Sequence, residues 1–79
     1  MFMMKVTLIA IMSGAKMTAP VKWTLDGKSV GNRSSVVIAV PTNDKSAAYE
    51  VCAEYKSTVR CAKFASQVGT ETTLPISLD

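Results

Sequence analysis

The chain is expected to fold as an all-β protein, a small antiparallel β-sandwich short of one or two strands of a full set. Three observations point there. Residues 49–64 read as a hairpin whose two strands match position by position. Residues 6–11, 21–25 and 35–40 carry the two-residue alternation or the β-branched content of strands. No apolar i, i+3, i+4, i+7 pattern holds long enough to make a helix.

The hairpin is the most informative stretch. Tyr49, Val51, Ala53 and Tyr55 alternate with Glu50, Cys52, Glu54 and Lys56, which assigns the odd positions to the core. With a turn at Lys56-Ser57, facing residues pair Tyr49 with Phe64, Glu50 with Lys63, Val51 with Ala62 and Cys52 with Cys61. The aromatic and Val/Ala pairs then share the inner face, and the Glu/Lys and cysteine pairs the outer one. A slip of one residue destroys all four matches. Lys-Ser is an atypical two-residue turn, and a four-residue loop from Tyr55 to Thr58 keeps the same register. Arg60 falls opposite Ala53 on the inner side.

Taken in order, the chain opens with Met-Phe-Met-Met-Lys and the apolar run of residues 6–12. Two readings compete for residues 1–15: a first strand over residues 6–11, which is favoured by its β-branched content, and a secretory signal cleaved after Ala15. Residues 21–25 place Val21, Trp23 and Leu25 on one face and run into Asp26-Gly27, a strong turn signal. Residues 28–35 form a polar connection with a short edge segment around Ser29-Val30. Residues 35–40 are apolar on both faces, as in a strand covered on both sides, and Pro41 is expected to end it. Residues 42–46 read as a loop and 46–48 as a single helical turn at most. A further strand covers residues 48–55 and its partner residues 59–65. The tail, residues 69–79, contains Pro75 and reads as a last edge strand or an extended arm. Trp23, Val36 or Val37, Ile38, Tyr49, Val51 and Phe64 are the expected core.

At 79 residues the chain makes a single domain, 1–79, that buries only about 60% of the surface its unfolded form exposes, so its stability needs help. An apolar content of 48% with 19% charged residues argues for folding rather than disorder. The net charge of +3 comes from nine scattered basic residues with no basic stripe, which argues against a nucleic-acid partner. No segment approaches the ~20 apolar residues of a transmembrane helix.

The absence of histidine removes the usual catalytic triads and most general-base arrangements. No catalytic or cofactor-binding residue is assigned, no cofactor is implied, and no small-molecule substrate is expected. Two cysteines without histidine make no zinc site. Cys52 and Cys61 are either a cross-strand disulfide, formed in an oxidising compartment or on a virion, or two reduced thiols on one strand face in a cytoplasm. Glu50 and Glu54 flank Cys52, and acidic neighbours oppose activation of a thiolate.

One succession of residues goes further: Val6-Thr7-Leu8, then Val21-Lys22-Trp23-Thr24-Leu25-Asp26-Gly27-Lys28, then the β-branched residues 36–40, a loop with Asp44, and Tyr49-Glu50-Val51. It resembles the immunoglobulin-like modules of bacterial surface proteins and phage virions. The resemblance spans residues 6–64. It implies an immunoglobulin-like sandwich with a non-catalytic structural or adhesion role, such as a virion decoration, a tail component or a surface-binding domain. The first strand lacks the cysteine of an inter-sheet disulfide, and the chain is shorter than the usual ~100 residues. One free element, the N-terminal segment or the tail, is therefore expected to pair with a sheet edge, in its own subunit or in a neighbour, and the partner is expected to be protein or a second copy. Two other readings are a small secreted binder or inhibitor held by one disulfide, with a mature chain beginning at Lys16, and a small basic β-barrel that binds nucleic acid.

Overall fold

The computed structural model describes residues 2–42, 48–67 and 71–79. The expected loop at residues 43–46, the helical turn at 46–47, Asp44 and the start of the tail at 69–70 lie outside them. Among the described residues there are eight strands and no helix. They are β1 (Phe2–Met12), β2 (Ala15–Lys16), β3 (Lys22–Leu25), β4 (Lys28–Gly31), β5 (Ser35–Thr42), β6 (Ala48–Tyr55), β7 (Thr58–Ala65) and β8 (Glu71–Ser77). Two sheets pack face to face as a small β-sandwich.

The first sheet is built around β1. β5 runs antiparallel along one side of it, from Phe2 opposite Thr42 to Ile9 opposite Ser35, and β8 runs parallel along the other, from Lys5 opposite Glu71 to Ile11 opposite Ser77. The Ala10 N–H donates to Ser34 O at 3.4 Å and Ala10 O accepts from the Met17 N–H at 2.9 Å, so the short β2 continues the β5 side. Ile11 O accepts from the Leu78 N–H at 2.8 Å on the β8 side. The sequence explains this central place. Met4, Val6, Leu8 and Ala10 alternate into the core and are all buried, and of the outward residues between them only Lys5 is charged. The strand reading of the N-terminal segment thus holds, and β1 begins four residues before the expected start because β5 extends far enough to pair with it. Cleavage after Ala15 would strip out this strand.

The second sheet has the order β4-β3-β6-β7. Asp26 and Gly27, both with positive φ, close the β3–β4 hairpin. Asp26 is also tied to β6: its N–H donates to Glu50 O at 2.8 Å, and its carboxylate accepts from the Glu50 N–H at 2.9 Å. The β6–β7 register is the expected one, including Cys52 opposite Cys61, and the turn is the two-residue one with Lys56 at φ 54°. Arg60 does face inward in register, but β7 is an edge strand. Its guanidinium swings out to donate to Val59 O at 3.0 Å and Asp79 O at 3.5 Å.

Trp23, Val51 and Ile38 lie in the core with the β1 residues and with Val21, Val40, Ala53, Ile76 and Leu78. Trp23 is fully buried, and its indole N–H donates to Arg33 O at 2.8 Å, which satisfies the one polar group of the ring. Tyr49 and Phe64 are only half-buried, a correction to the expected core. They stack on each other with centroids 5.5 Å apart at the rim, where the Tyr49 hydroxyl donates to Pro41 O at 3.3 Å.

Three expectations about strand ends and coverage are corrected. β5 is covered on one face only: Ile38, Val40 and Thr42 are buried, while Ser35, Val37, Ala39 and Pro41 are exposed, Val37 at 59%. Apolar residues on both faces of a strand do not say whether the chain has a third layer to cover the second face. Pro41 does not end β5, since the positions paired toward β1 are the even ones and the Pro41 nitrogen faces the open edge, where no donor is missed. Pro75 sits inside β8 for the same reason. The tail is therefore a strand of its own subunit. It joins the sheet in parallel, so the expected all-antiparallel pairing holds everywhere except between β1 and β8.

Gly31, at the β4–β5 crossover, lies directly against the side chain of Val36 on the other sheet. A Cβ there would lie 2.6 Å from Val36 Cγ2, well inside van der Waals contact.

Candidate binding surface

The two sheets turn different chemistry outward. On the second sheet the outward positions form facing rows, Lys22–Glu54–Val59, Thr24–Cys52–Cys61 and Glu50–Lys63. Opposite charges stand across from each other, as cross-strand pairing prefers. Cys52 and Cys61 are joined, with an S–S distance of 2.05 Å and Cα atoms 4.0 Å apart. The disulfide bridges a non-hydrogen-bonded pair, because Glu50 O is turned to β3 and the Cys52 backbone shares that direction. This is the closer of the two antiparallel pair types, so the side chains start within bonding reach.

On the first sheet the outward rows run across three strands. They read Pro41–Met3, Ala39–Lys5–Glu71, Val37–Thr7–Thr73, Ser35–Ile9–Pro75 and Lys16–Ile11–Ser77. Lys5, Glu71 and Lys16 are the charged residues in these rows; Lys5 and Glu71 pair with each other at 3.6 Å in full view of solvent, and Lys16 lies at the far end on β2. The remaining positions are apolar or Thr/Ser, and Met3 and Val37 are among the most exposed large apolar side chains described. Sequence reasoning missed this surface. Its signal is the doubly apolar run of residues 35–40, which fits an exposed apolar face as well as it fits a strand covered on both sides.

The edges of the sandwich also differ. Among the described residues β5 is flanked by β1 alone, and the backbone groups of Ser35, Val37 and Ala39 point away from the sheet. A cleft of about 380 Å³ borders this edge at the β4–β5 crossover, lined by Val30, Gly31, Asn32, Arg33, Ser35, Val36 and Val37. Its wall carries one charge, Arg33, and no acid or thiol. No protein-family model, curated protein or solved structure matches the chain. Among the described residues no three His, Cys, Asp or Glu side chains gather where they would hold a metal ion, and no helix is long and apolar enough to cross a membrane.

Proposed function

We propose that this chain is a non-catalytic, immunoglobulin-like structural or adhesion module, carried on a virion or a cell surface, that works by binding protein through its first sheet. The observation that carries the binding role is the outward face of β5 and β1, apolar at Met3, Ile9, Val37 and Ala39, lying beside a strand edge that is unpaired among the described residues. Surfaces of that composition are commonly protein contacts.

Several features support the immunoglobulin-like part of the reading. The order β4-β3-β6-β7 with β1 beside β5 corresponds to the C′-C-F-G and B-E neighbours of that sandwich. Trp23 then falls on the C strand, the place of the buried tryptophan in antibody domains. Tyr49 falls at the start of the F strand, and its hydroxyl reaches back to the Pro41 carbonyl, much as a tyrosine corner does. Val51 stands where the F-strand cysteine would be. β8 fills the place beside β1 that the missing first strand leaves, entering from the other end of the chain and in the opposite direction. The Cys52–Cys61 bond favours an oxidising compartment.

The test is fractionation of the native source, followed by mass measurement of the protein without reduction. Recovery in the particle or surface fraction with Cys52 and Cys61 oxidised is the expected result. Recovery as a free, reduced protein in the soluble cell contents would overturn the reading, and a mature N-terminus at Lys16 would turn it towards the secreted binder.

A further inference from the structure

The four edges of the sandwich are not equally open. β4 is four residues long, begins with Lys28 and lies next to a register irregularity in its pairing with β3. β7 carries Arg60 and Lys63. β8 carries Glu71 at its start and, within its span, Pro75, whose nitrogen faces outward, so a docking strand would find a donor missing inside the ladder. Charges, proline and irregularity are the devices that keep strand edges from pairing. β5 has none of them over its central part: eight residues with no charge, and a proline only at the last position but one.

We infer that β5 is an assembly edge and that its occupant is a second copy of the chain, joined antiparallel about a two-fold axis through Val37. The inference rests on the protein-binding reading above and names the partner. The choice of a second copy follows from the backbone. With Val37 opposite its own counterpart, Ser35 faces Ala39 of the other copy, and every outward N–H and C=O of Ser35, Val37 and Ala39 finds a reciprocal partner. Pro41 then lies beyond the ladder, where its missing N–H matters to nothing. Moving the axis towards Pro41 sets that proline opposite Ser35 and leaves the Ser35 carbonyl without a donor. Moving it the other way asks the Arg33 carbonyl, which accepts from the buried Trp23 indole at 2.8 Å, to take a second donor. The register centred on Val37 needs neither a missing donor nor a shared acceptor.

Side chains agree with that register. On the outward face Val37 meets Val37, a β-branched cross-strand pair, and Ala39 meets Ser35. No charge lies on either β5, so no like-charged residues face each other across the axis. The result is a continuous sheet running β8-β1-β5 into β5-β1-β8 of the second copy, with the two apolar outer faces merged into one.

The test uses the full chain. Sedimentation equilibrium over a concentration series should show a monomer–dimer equilibrium. Val37→Lys, which sets two ammonium groups together on the axis, should weaken the dimer at least tenfold, while Thr73→Lys on β8 of the same face leaves it unchanged. Geometry is read by cross-linking under mild oxidation, with the native disulfide checked by peptide mapping. Directly paired strand positions lie about 5.5 Å apart between Cα atoms, so Val37→Cys should give a covalent dimer. Ala39→Cys should not, because its two copies stand roughly 14 Å apart along the ladder. A chain that stays monomeric up to millimolar concentration, equal weakening by both lysines, or equal cross-linking at both positions would overturn the inference. A monomer that still fractionates with particles or the cell surface removes the β5 dimer and leaves the proposed function standing. A β5-paired dimer found reduced in the soluble cell contents does the reverse.

Discussion

The outward faces of the two sheets follow the same alternation rule and end in opposite chemistry. On β6 and β7 the outward residues include Glu50, Cys52, Glu54, Cys61 and Lys63, with charges that face Lys22 or each other and cysteines bonded to each other; Val59 is the one large apolar side chain exposed among them. Such a face has its interactions made internally or with water. On β1 and β5 the outward residues include Met3, Ile9, Val37 and Ala39, whose apolar side chains gain nothing from water and have no covering layer among the described residues; Lys5, Thr7 and Ser35 are the polar members of the face. Burial pattern alone separates inside from outside. It takes the chemistry of the outside residues to separate a solvated face from a contact face.

The comparison breaks most visibly if the first sheet is opened. Removing residues 69–79 takes away β8 with Ile76 and Leu78, both buried. Those two side chains alone contribute about 3 to 6 kcal/mol, against a total stability of roughly 5 to 15 kcal/mol for a native domain. The truncated chain should be unfolded or molten by circular dichroism at 25 °C. A cooperative melt close to that of the full chain would show that β8 is a dispensable cover.

A paired substitution on β1 sharpens the contrast between the two sides of one strand. Leu8→Ala leaves a cavity at a fully buried site and should cost about 2 to 5 kcal/mol. Thr7→Ala, on the outward side one residue away, should stay within about 0.5 kcal/mol. Urea denaturation of both variants measures the difference, and equal costs would mean that the outer face is covered in solution.

On the second sheet the bond between the cysteines closes a short loop in a hairpin already held by its ladder. Replacing both Cys52 and Cys61 by Ser should cost about 2 to 3 kcal/mol by loop-closure entropy. The double variant should melt cooperatively with its β-sheet spectrum intact. Addition of reductant should lower the stability of the native chain by a similar amount and leave the variant unaffected. If the variant's dimer constant also changes, the two faces are coupled, contrary to the separation drawn here.

Legibility from sequence divides along the same line as range. The β6–β7 register was readable because eight local pairs must satisfy one sum, and matched chemistry at Tyr49/Phe64, Glu50/Lys63 and Cys52/Cys61 leaves no competing slip. The β3–β4 turn was readable because Asp-Gly is among the few pairs that accept two positive φ angles cheaply. The all-β class followed from alternation and from the lack of any helical period. Of the candidate binding surface, the sequence showed the residues but not their exposure.

What only the tertiary structure decided is everything that joins segments far apart in the chain. Nothing in Glu71–Ser77 says that it lies parallel to β1 and not antiparallel to some other edge. That choice depends on which side of β1 the β5 crossover leaves free. Nothing in residues 35–40 says that one face stays bare, because coverage is a property of the layers assembled around a strand and not of the strand. The half-burial of Tyr49 and Phe64 and the escape of Arg60 from an inward position have the same origin. Alternation assigns a side chain to a face through local backbone geometry, which sequence alone determines. The depth of that face at a given point depends on how far the opposite sheet extends above it, which is settled only when the whole chain has packed.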